Sequence, residues 1–319
     1  MLAVVCPGQG SQTPGMLAPW LEIPGLREIL GTWSELSGAD LLTHGTTSDA
    51  DTIRDTAVAQ PLIVGASLLA AHAILGDDAG AAGVATTAGH SVGEFAATAV
   101  AGLLSPEDAV RLVGVRGSAM ARAAALTPTG MAAVLGGEPD EVTARLEALG
   151  LTPANVNGGG QVVAAGPLDA LAALGAEPPR RARVIPLQVA GAFHTQAMAP
   201  ATDELRTAVD ALALDGSTAP TVTLLSNADG AAVVDRADAL ARLVGQVTRP
   251  VRWDLCQATL LDQGVTGLLE LAPGGVLTGL ARRALPGVEA FAVKSADDVD
   301  AAKEFVARHA GRATTTPAD

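Results

Sequence analysis

The stretch Gly89-His90-Ser91-Val92-Gly93 sets one serine between two glycines, and its flanks give it meaning. The run at 84–88 (Val-Ala-Thr-Thr-Ala) has strand character, and the run at 94–100 (Glu-Phe-Ala-Ala-Thr-Ala-Val) has helix character. A strand, a sharp turn carrying serine and then a helix is the setting of a G-x-S-x-G nucleophile elbow. Such a turn forces Ser91 into a strained backbone conformation, and a side chain at 89 or 93 would strike the adjoining strand or helix. The hydroxyl is then left at the mouth of a sheet, above a helix N-terminus whose unpaired N–H groups can hold a developing oxyanion. The pattern alone is short, and a chain with 36 glycines offers many chance turns. The strand–turn–helix context is what separates a nucleophile from an ordinary glycine-rich turn.

A serine hydroxyl needs a general base at neutral pH, most often histidine, and the chain has five. His90 adjoins Ser91, but neighbouring side chains on a sharp turn diverge, so His90 is expected to line the site. His44 falls in a polar loop, His72 in an alanine- and leucine-rich helix with a structural role, and His309 near the C-terminus. His194 follows an expected strand at 183–189, in Ala190-Gly191-Ala192-Phe193-His194, which puts it at a strand's carboxyl end on the face expected for Ser91. We take His194 as the base, against the alternative of a surface-loop histidine. Spacing does not choose an orienting acid. Asp203 and Asp262 are both candidates, and a neutral group that fixes the imidazole tautomer would serve equally.

Composition bounds what these residues can belong to. With 319 residues, 49% of them hydrophobic and 17% charged, the chain is globular, and its length suits two domains or one with an insertion. A net charge of −14 without a dominant basic patch argues against nucleic acid as a partner. Cys6 and Cys256 lie far apart and give neither a disulfide framework nor a zinc spacing; each is expected as a buried thiol in a reducing compartment, and no metal site is expected. No basic leader precedes Leu2, and no stretch reads as approaching the ~20 apolar residues of a membrane span, so a cytoplasmic protein is expected. The only lysines are Lys294 and Lys303, which excludes a Walker loop and a central Schiff-base lysine. Gly8-x-Gly10 after a strand invites a dinucleotide reading. Thr13 stands where a third glycine belongs, and Thr13-Pro14-Gly15 prevents an immediate helix, so that reading is rejected. The loop remains a place where backbone N–H groups can face a ligand.

The elements that must carry these residues read as α/β. Residues 2–6 form a buried strand, and 16–60 form helices and loops. Gln60-Pro61 then opens a long apolar helix over 62–75. Ser105-Pro106-Glu107-Asp108 is a helix start, with serine at the cap, proline in the first position and acids in the first turn. From 130 to 190 the order is strand 131–135, helix 140–149, strands 152–157 and 161–165, helix 168–174 and strand 183–189. That order, βαββαβ, is a ferredoxin-like unit. Strands at 221–226 and 267–271 alternate with helices at 237–246 and from 276, and 249–253 is a break before a helix to about 261. Alternation implies a parallel sheet with sites at the strands' carboxyl ends. We therefore expect a large α/β domain from 1–125 and 190–310, a small inserted domain over 126–189, and a polar tail at 311–319.

Several motifs recur together in one family. Pro7-Gly8-Gln9-Gly10-Ser11-Gln12, Gly89-His90-Ser91-Val92-Gly93-Glu94, Arg116-Gly117, Gly191-Ala192-Phe193-His194, Pro250-Val251-Arg252-Trp253 and Leu271-Ala-Pro-Gly-Gly-Val-Leu-Thr-Gly-Leu280 stand in that order. The chain resembles, over about residues 3–285, the acyltransferase family that loads malonyl units for fatty acid and polyketide synthesis. The resemblance implies an α/β-hydrolase-like large domain with a ferredoxin-like insertion. It implies transfer of a malonyl group from malonyl-CoA to an acyl carrier protein by an enzyme that needs no cofactor, and nothing in the sequence demands more than a monomer. It assigns Ser91 as nucleophile, His194 as base, the backbone N–H groups of Gln9 and Val92 as the oxyanion hole, and Gln246 as the residue whose carbonyl oxygen orients the histidine. It also implies that Arg116 grips the malonyl carboxylate; on its own, Arg116 would read as a solvated helix arginine. A guanidinium holds a carboxylate bidentately, and an acetyl group would leave it unpaired, a penalty of roughly 2–3 kcal/mol. Phe193 resembles the malonyl-type pattern, its ring crowding an α-methyl group. Asn157 and the glycines after it are read as a loop facing coenzyme A or the pantetheine arm, although Asn-Gly is also ordinary turn chemistry.

Carrier proteins of this kind are acidic, and so is this chain. Docking would therefore use a local basic patch, with Arg180, Arg181 and Arg183 or Arg282 and Arg283 as candidates. Two other readings differ in outcome. A thioesterase would pass the acyl group to water but gives no role to Arg116, and a scaffold that only binds carrier proteins would form no acyl-enzyme.

Overall fold

The computed structural model describes residues 1–310; the expected tail at 311–319 lies outside the described residues. Ten strands occur among them: β1 (Leu2–Cys6), β2 (Val84–Gly89), β3 (Thr129–Gly136), β4 (Thr152–Gly158), β5 (Gln161–Pro167), β6 (Ala182–Pro186), β7 (Thr223–Leu225), β8 (Val251–Arg252), β9 (Gly267–Glu270) and β10 (Glu289–Ala292). They form two sheets.

The first sheet has the order β10-β9-β1-β2-β7 and is parallel throughout. Its central strands are buried on both faces, which is why Leu-Ala-Val-Val-Cys reads as a continuous apolar run rather than an alternation. The chain moves from β1 to β2 and β7 on one side and returns to β9 and β10 on the other, so its direction reverses at β1. A crevice opens beyond the carboxyl ends of the strands at such a switch point. Gln9, Ser91 and Asn227 all follow the ends of three adjacent strands, β1, β2 and β7.

The second sheet has the order β6-β3-β5-β4-β8, and its first four strands pair antiparallel as expected for βαββαβ. Period-two alternation divides its residues. Val134, Val162 and Ala164 pack with Val142, Leu146 and Leu174 under the two helices of the unit, whereas Met131, Val163 and Ala165 join the main core. Residues 249–253 are not merely a break. Val251–Arg252 pairs parallel with β4 as the fifth strand of the small sheet, its Arg252 N–H donating to the Asn227 carbonyl of the large unit, and a helix starts at Trp253.

Three expectations are corrected. The long helix runs Thr56–Leu75, because the Asp55 carboxylate accepts from the Ala57 N–H at 2.8 Å and starts it five residues before Pro61. Pro61 sits inside, in the second turn, where it removes one helix hydrogen bond. That helix has 20 residues and is long and apolar enough to cross a membrane by those measures; it lies buried against the Pro106–Ala124 helix. His44 lies in the short Leu41–Thr46 helix rather than a loop, whereas His72 stands on its helix as expected, half-exposed and hydrogen-bonded to Asp77. Finally, β10 and the Val299–His309 helix, within the expected 190–310 segment, are elements the pattern did not indicate.

Candidate active site

Ser91 sits at φ = 53°, in the left-handed region. The glycines beside it are required by close approach. A Cβ on Gly89 would run into the backbone of Gly93, and one on Gly93 would run into the carbonyl oxygens of Cys6 and Pro7 at the end of β1. His194 is also left-handed, at φ = 61°. Left-handed non-glycine residues are uncommon and cluster where function over-determines the backbone.

Ser91 Oγ lies 2.6 Å from His194 Nε2. His194 Nδ1 donates to the main-chain carbonyl oxygen of Gln246 at 2.9 Å. A carbonyl only accepts, so the proton resides on Nδ1 and the Nε2 lone pair faces the serine, the tautomer a base requires. Burial first, then the positive charge of Arg116, pull the His194 pKa down to about 3, and the imidazole is neutral at physiological pH. Asp203 and Asp262 are exposed on helices elsewhere and orient nothing here. His194 arrives by a route other than the expected one. β6 ends at Pro186 and belongs to the small sheet, and the chain crosses to the large unit over the next eight residues. Leu187 and Val189 line the cavity on the way.

Two residues that line the cavity with Ser91 have backbone N–H groups without a protein partner among the described residues, Gln9 after β1 and Val92 at the start of the Gly93–Val100 helix. The Ser91 N–H is taken, donating to Asn227 Oδ1 at 2.7 Å. Gln9, Val92, Ser91, His194, Phe193, His90 and Arg116 together line a cavity of about 80 Å³. A larger cavity, about 490 Å³, lies between the Thr56–Leu75 helix and its neighbours and is mainly apolar, with no nucleophile beside it.

Arg116 is no solvated arginine; it is 1% exposed. Its guanidinium lies 5.8 Å from the Phe95 ring, donates to Gln60 Oε1 at 2.6 Å and to Gln246 Oε1 at 2.7 Å, and its Nε–H has no partner. Two of its five N–H donors are thus engaged, both by neutral amides. Burial lowers its pKa to about 10, so it stays charged. A buried cation with N–H donors left over can receive an anion, although the nearby Glu94 carboxylate already supports its charge. Asn157 falls elsewhere than expected. It is a residue of β4 rather than a loop, buried behind His90, whose Nε2 lies 2.8 Å from its Oδ1. Asn155, two residues earlier on the same strand, is the one that lines the cavity.

Sequence reasoning missed Asn227, Glu94, Gln60 and Asn155. Asn227 follows β7 as Ser91 follows β2, so the strand-end argument applied to both. Glu94 stands in the serine motif itself, an acid at the head of an apolar helix. Gln60 and Asn155 gave no local signal.

The arrangement can form a serine ester, stabilise its oxyanion and bind an anionic substituent on the acyl group. That defines a serine acyltransferase on an α/β frame. A family model described as acyl transferase domain matches residues 3–303. The chain is 52% identical to malonyl CoA-acyl carrier protein transacylase of Mycobacterium tuberculosis over 300 residues, 94% of this chain and 98% of that one. The crystal structure of MCAT from Mycobacterium tuberculosis superposes with a TM-score of 0.90 at 52% identity, covering 95% of this chain and 99% of that one. A structure of a type II PKS acyl-carrier protein in complex with its malonyl-transacylase matches with a TM-score of 0.84 at 30% identity, over 95% of this chain and 99% of that one. The chain belongs to the acyl transferase family, among the malonyl CoA-acyl carrier protein transacylases.

Proposed function

We propose that this chain transfers the malonyl group of malonyl-CoA to the phosphopantetheine thiol of an acyl carrier protein, through a malonyl ester on Ser91. The observation that carries the reading is the Ser91–His194 pair opening onto a small cavity that also holds the buried, partly unpaired Arg116. His194 Nε2 takes the Ser91 proton as Oγ attacks the thioester carbonyl. The N–H groups of Gln9 and Val92 hold the tetrahedral oxygen, and His194 returns the proton to the departing coenzyme A sulfur. The carrier thiol then gives its proton to His194, attacks the ester and restores the Ser91 hydroxyl. Arg116 receives the malonyl carboxylate on its free N–H groups, and the Phe193 ring beside His194 limits the α-carbon. His90 shapes the wall, and Asn157 acts by holding His90.

In this reading the chemistry needs only side chains and the coenzyme A thioester. Residues 1–125 and 190–310 form the catalytic domain, and 126–189 the small one. The enzyme works as a cytoplasmic monomer, which suits two buried, unpaired thiols. Intact-protein mass spectrometry after brief mixing with malonyl-CoA tests the reading. Wild type gains one malonyl group that carrier protein discharges, and Ser91→Ala gains none. Steady release of coenzyme A and malonate without transfer to the carrier would replace it with a hydrolase.

A further inference from the structure

Ser91, His194 and Arg116 come from three separate parts of the chain, and one carboxylate links the groups that hold all three. Glu94, in the first turn of the Gly93–Val100 helix, is 4% exposed. Its Oε1 accepts from the Asn227 N–H at 2.6 Å, and its Oε2 accepts from Gln246 Nε2. Asn227 in turn takes the Ser91 N–H on Oδ1 and donates from Nδ2 to the Gly89 carbonyl at 2.7 Å. Gln246 Nε2 donates to the Ser91 carbonyl at 2.9 Å, its Oε1 receives Arg116, and its main-chain carbonyl receives His194. Both ends of the strained Ser91 residue are therefore gripped by side chains that Glu94 fixes.

We propose that Glu94 is the positioning residue of this site, holding the Ser91 elbow, the His194 tautomer and the Arg116 guanidinium in one register through Asn227 and Gln246. The proposal rests on the malonyl-transfer reading and extends it by naming what keeps the machinery aligned.

The chemistry requires an ionised carboxylate. The Asn227 and Gln246 N–H groups and the Ser226 hydroxyl all donate to Glu94 as a carboxylate, and a protonated carboxyl would set its own O–H against one of these donors. A glutamine at 94 would do the same, with its NH₂ group. The Gln246 amide cannot turn over in compensation, because that would point its oxygen at the Ser91 carbonyl and its NH₂ at the guanidinium. Burial pushes Glu94 up to about 7, against the pull of its hydrogen bonds and of Arg116. Charged and titratable side chains reach it from two neighbours, Arg116 and the Cys256 thiol of the Trp253–Asp262 helix. Of the other elements packed on its helix, Thr56–Leu75 carries only His72, exposed and paired with Asp77. β1 carries Cys6, kept protonated by burial, and β2 carries no titratable group. Arg236–Gly245 has Arg242 tied to Asp229 and Asp238. His194, held near 3, does not titrate in the same range as Glu94.

Rapid-quench mass spectrometry of malonyl–Ser91 formation, run from about pH 5.5 to 8.5, tests this in the full chain. Wild type is expected to acylate faster as pH rises through about 7. Glu94→Gln, folded by circular dichroism, is expected to be slower by about 30-fold at the upper end and to lose the rise. A wild-type profile without that rise overturns the proposal, and so does a Glu94→Gln enzyme with the wild-type rate and profile, whatever its melting temperature. If Glu94→Gln does not fold, Asn227→Ala tests the clamp from its other end. A rate about tenfold lower with the rise intact is expected, and an unchanged rate overturns the idea. A wild type that forms no malonyl adduct sinks the functional reading instead.

Discussion

The parallel sheet supplies its residues to the cavity from strand ends, and the small antiparallel sheet supplies its own from one face. Gln9, Ser91 and Asn227 stand where β1, β2 and β7 stop, and there the backbone itself takes part: N–H groups left open at Gln9 and Val92, a left-handed turn at Ser91, a peptide held at both ends. Met131, Asn155 and Val163 present only side chains, because their N–H and C=O groups belong to a ladder. A strand end can thus direct charge and geometry at a reacting atom, whereas a sheet face can only set the shape of the space beside it. The expected division of labour is rate on the strand-end side and the room left for the acyl chain on the sheet-face side.

Removing the base should break the chemistry outright. For His194→Ala we expect a fall in malonyl–Ser91 formation on the order of 10⁴-fold or more, read by quenched mass spectrometry, since the members of such a unit fail together. Arg116→Ala should act next most strongly and differently. Loss of the guanidinium should lower malonyl transfer by about 100-fold while the acetyl thioester changes little, so the ratio of the two rates collapses. Competition between malonyl-CoA and acetyl-CoA measures it. Equal losses with both substrates would mean that Arg116 supports the site through Gln60 and Gln246 rather than gripping a carboxylate.

The same contrast explains what was legible in the sequence. The parallel core announced itself through runs such as Leu2–Cys6, and the elbow through two glycines whose places admit no Cβ. The βαββαβ order could be read because its strands and helices are short and glycines such as Gly158, Gly159 and Gly160 punctuate them. What failed was long-range. A two-residue strand such as Val251–Arg252 has no periodicity to read, so its pairing with β4 was invisible. Pro61 looked like a helix start because proline favours first turns, yet the Asp55 cap had already begun the helix. His194 was chosen with a strand-end argument although β6 ends earlier and in the other sheet; the family motif Gly191-Ala192-Phe193-His194 marked the residue where the strand argument misplaced it. Glu94 and Asn227 went unassigned because their role lies in contacts 133 residues apart in the chain, and no local pattern encodes those.

The smallest effect belongs to the small sheet, and it is the sharpest test of the comparison. Val163 on β5 is buried, faces the main core and lines the cavity, with no polar atom to contribute. Val163→Ala removes two methyl groups, a stability loss of roughly 1–2 kcal/mol that a thermal melt would register. Malonyl–Ser91 formation should stay within about threefold of wild type, since Ser91, Gln9 and Val92 follow strand ends of the other sheet and His194 and Arg116 are held through Gln246 and Gln60. The enlarged wall should admit a branched acyl group, raising the ratio of methylmalonyl to malonyl acylation by about tenfold at most, as one methyl group in an apolar pocket commands. Paired single-turnover assays with the two thioesters read both numbers at once. A malonyl rate lower by two orders of magnitude would show the sheet face to be positioning the reacting groups, and the division between strand end and sheet face would then fail at this cavity.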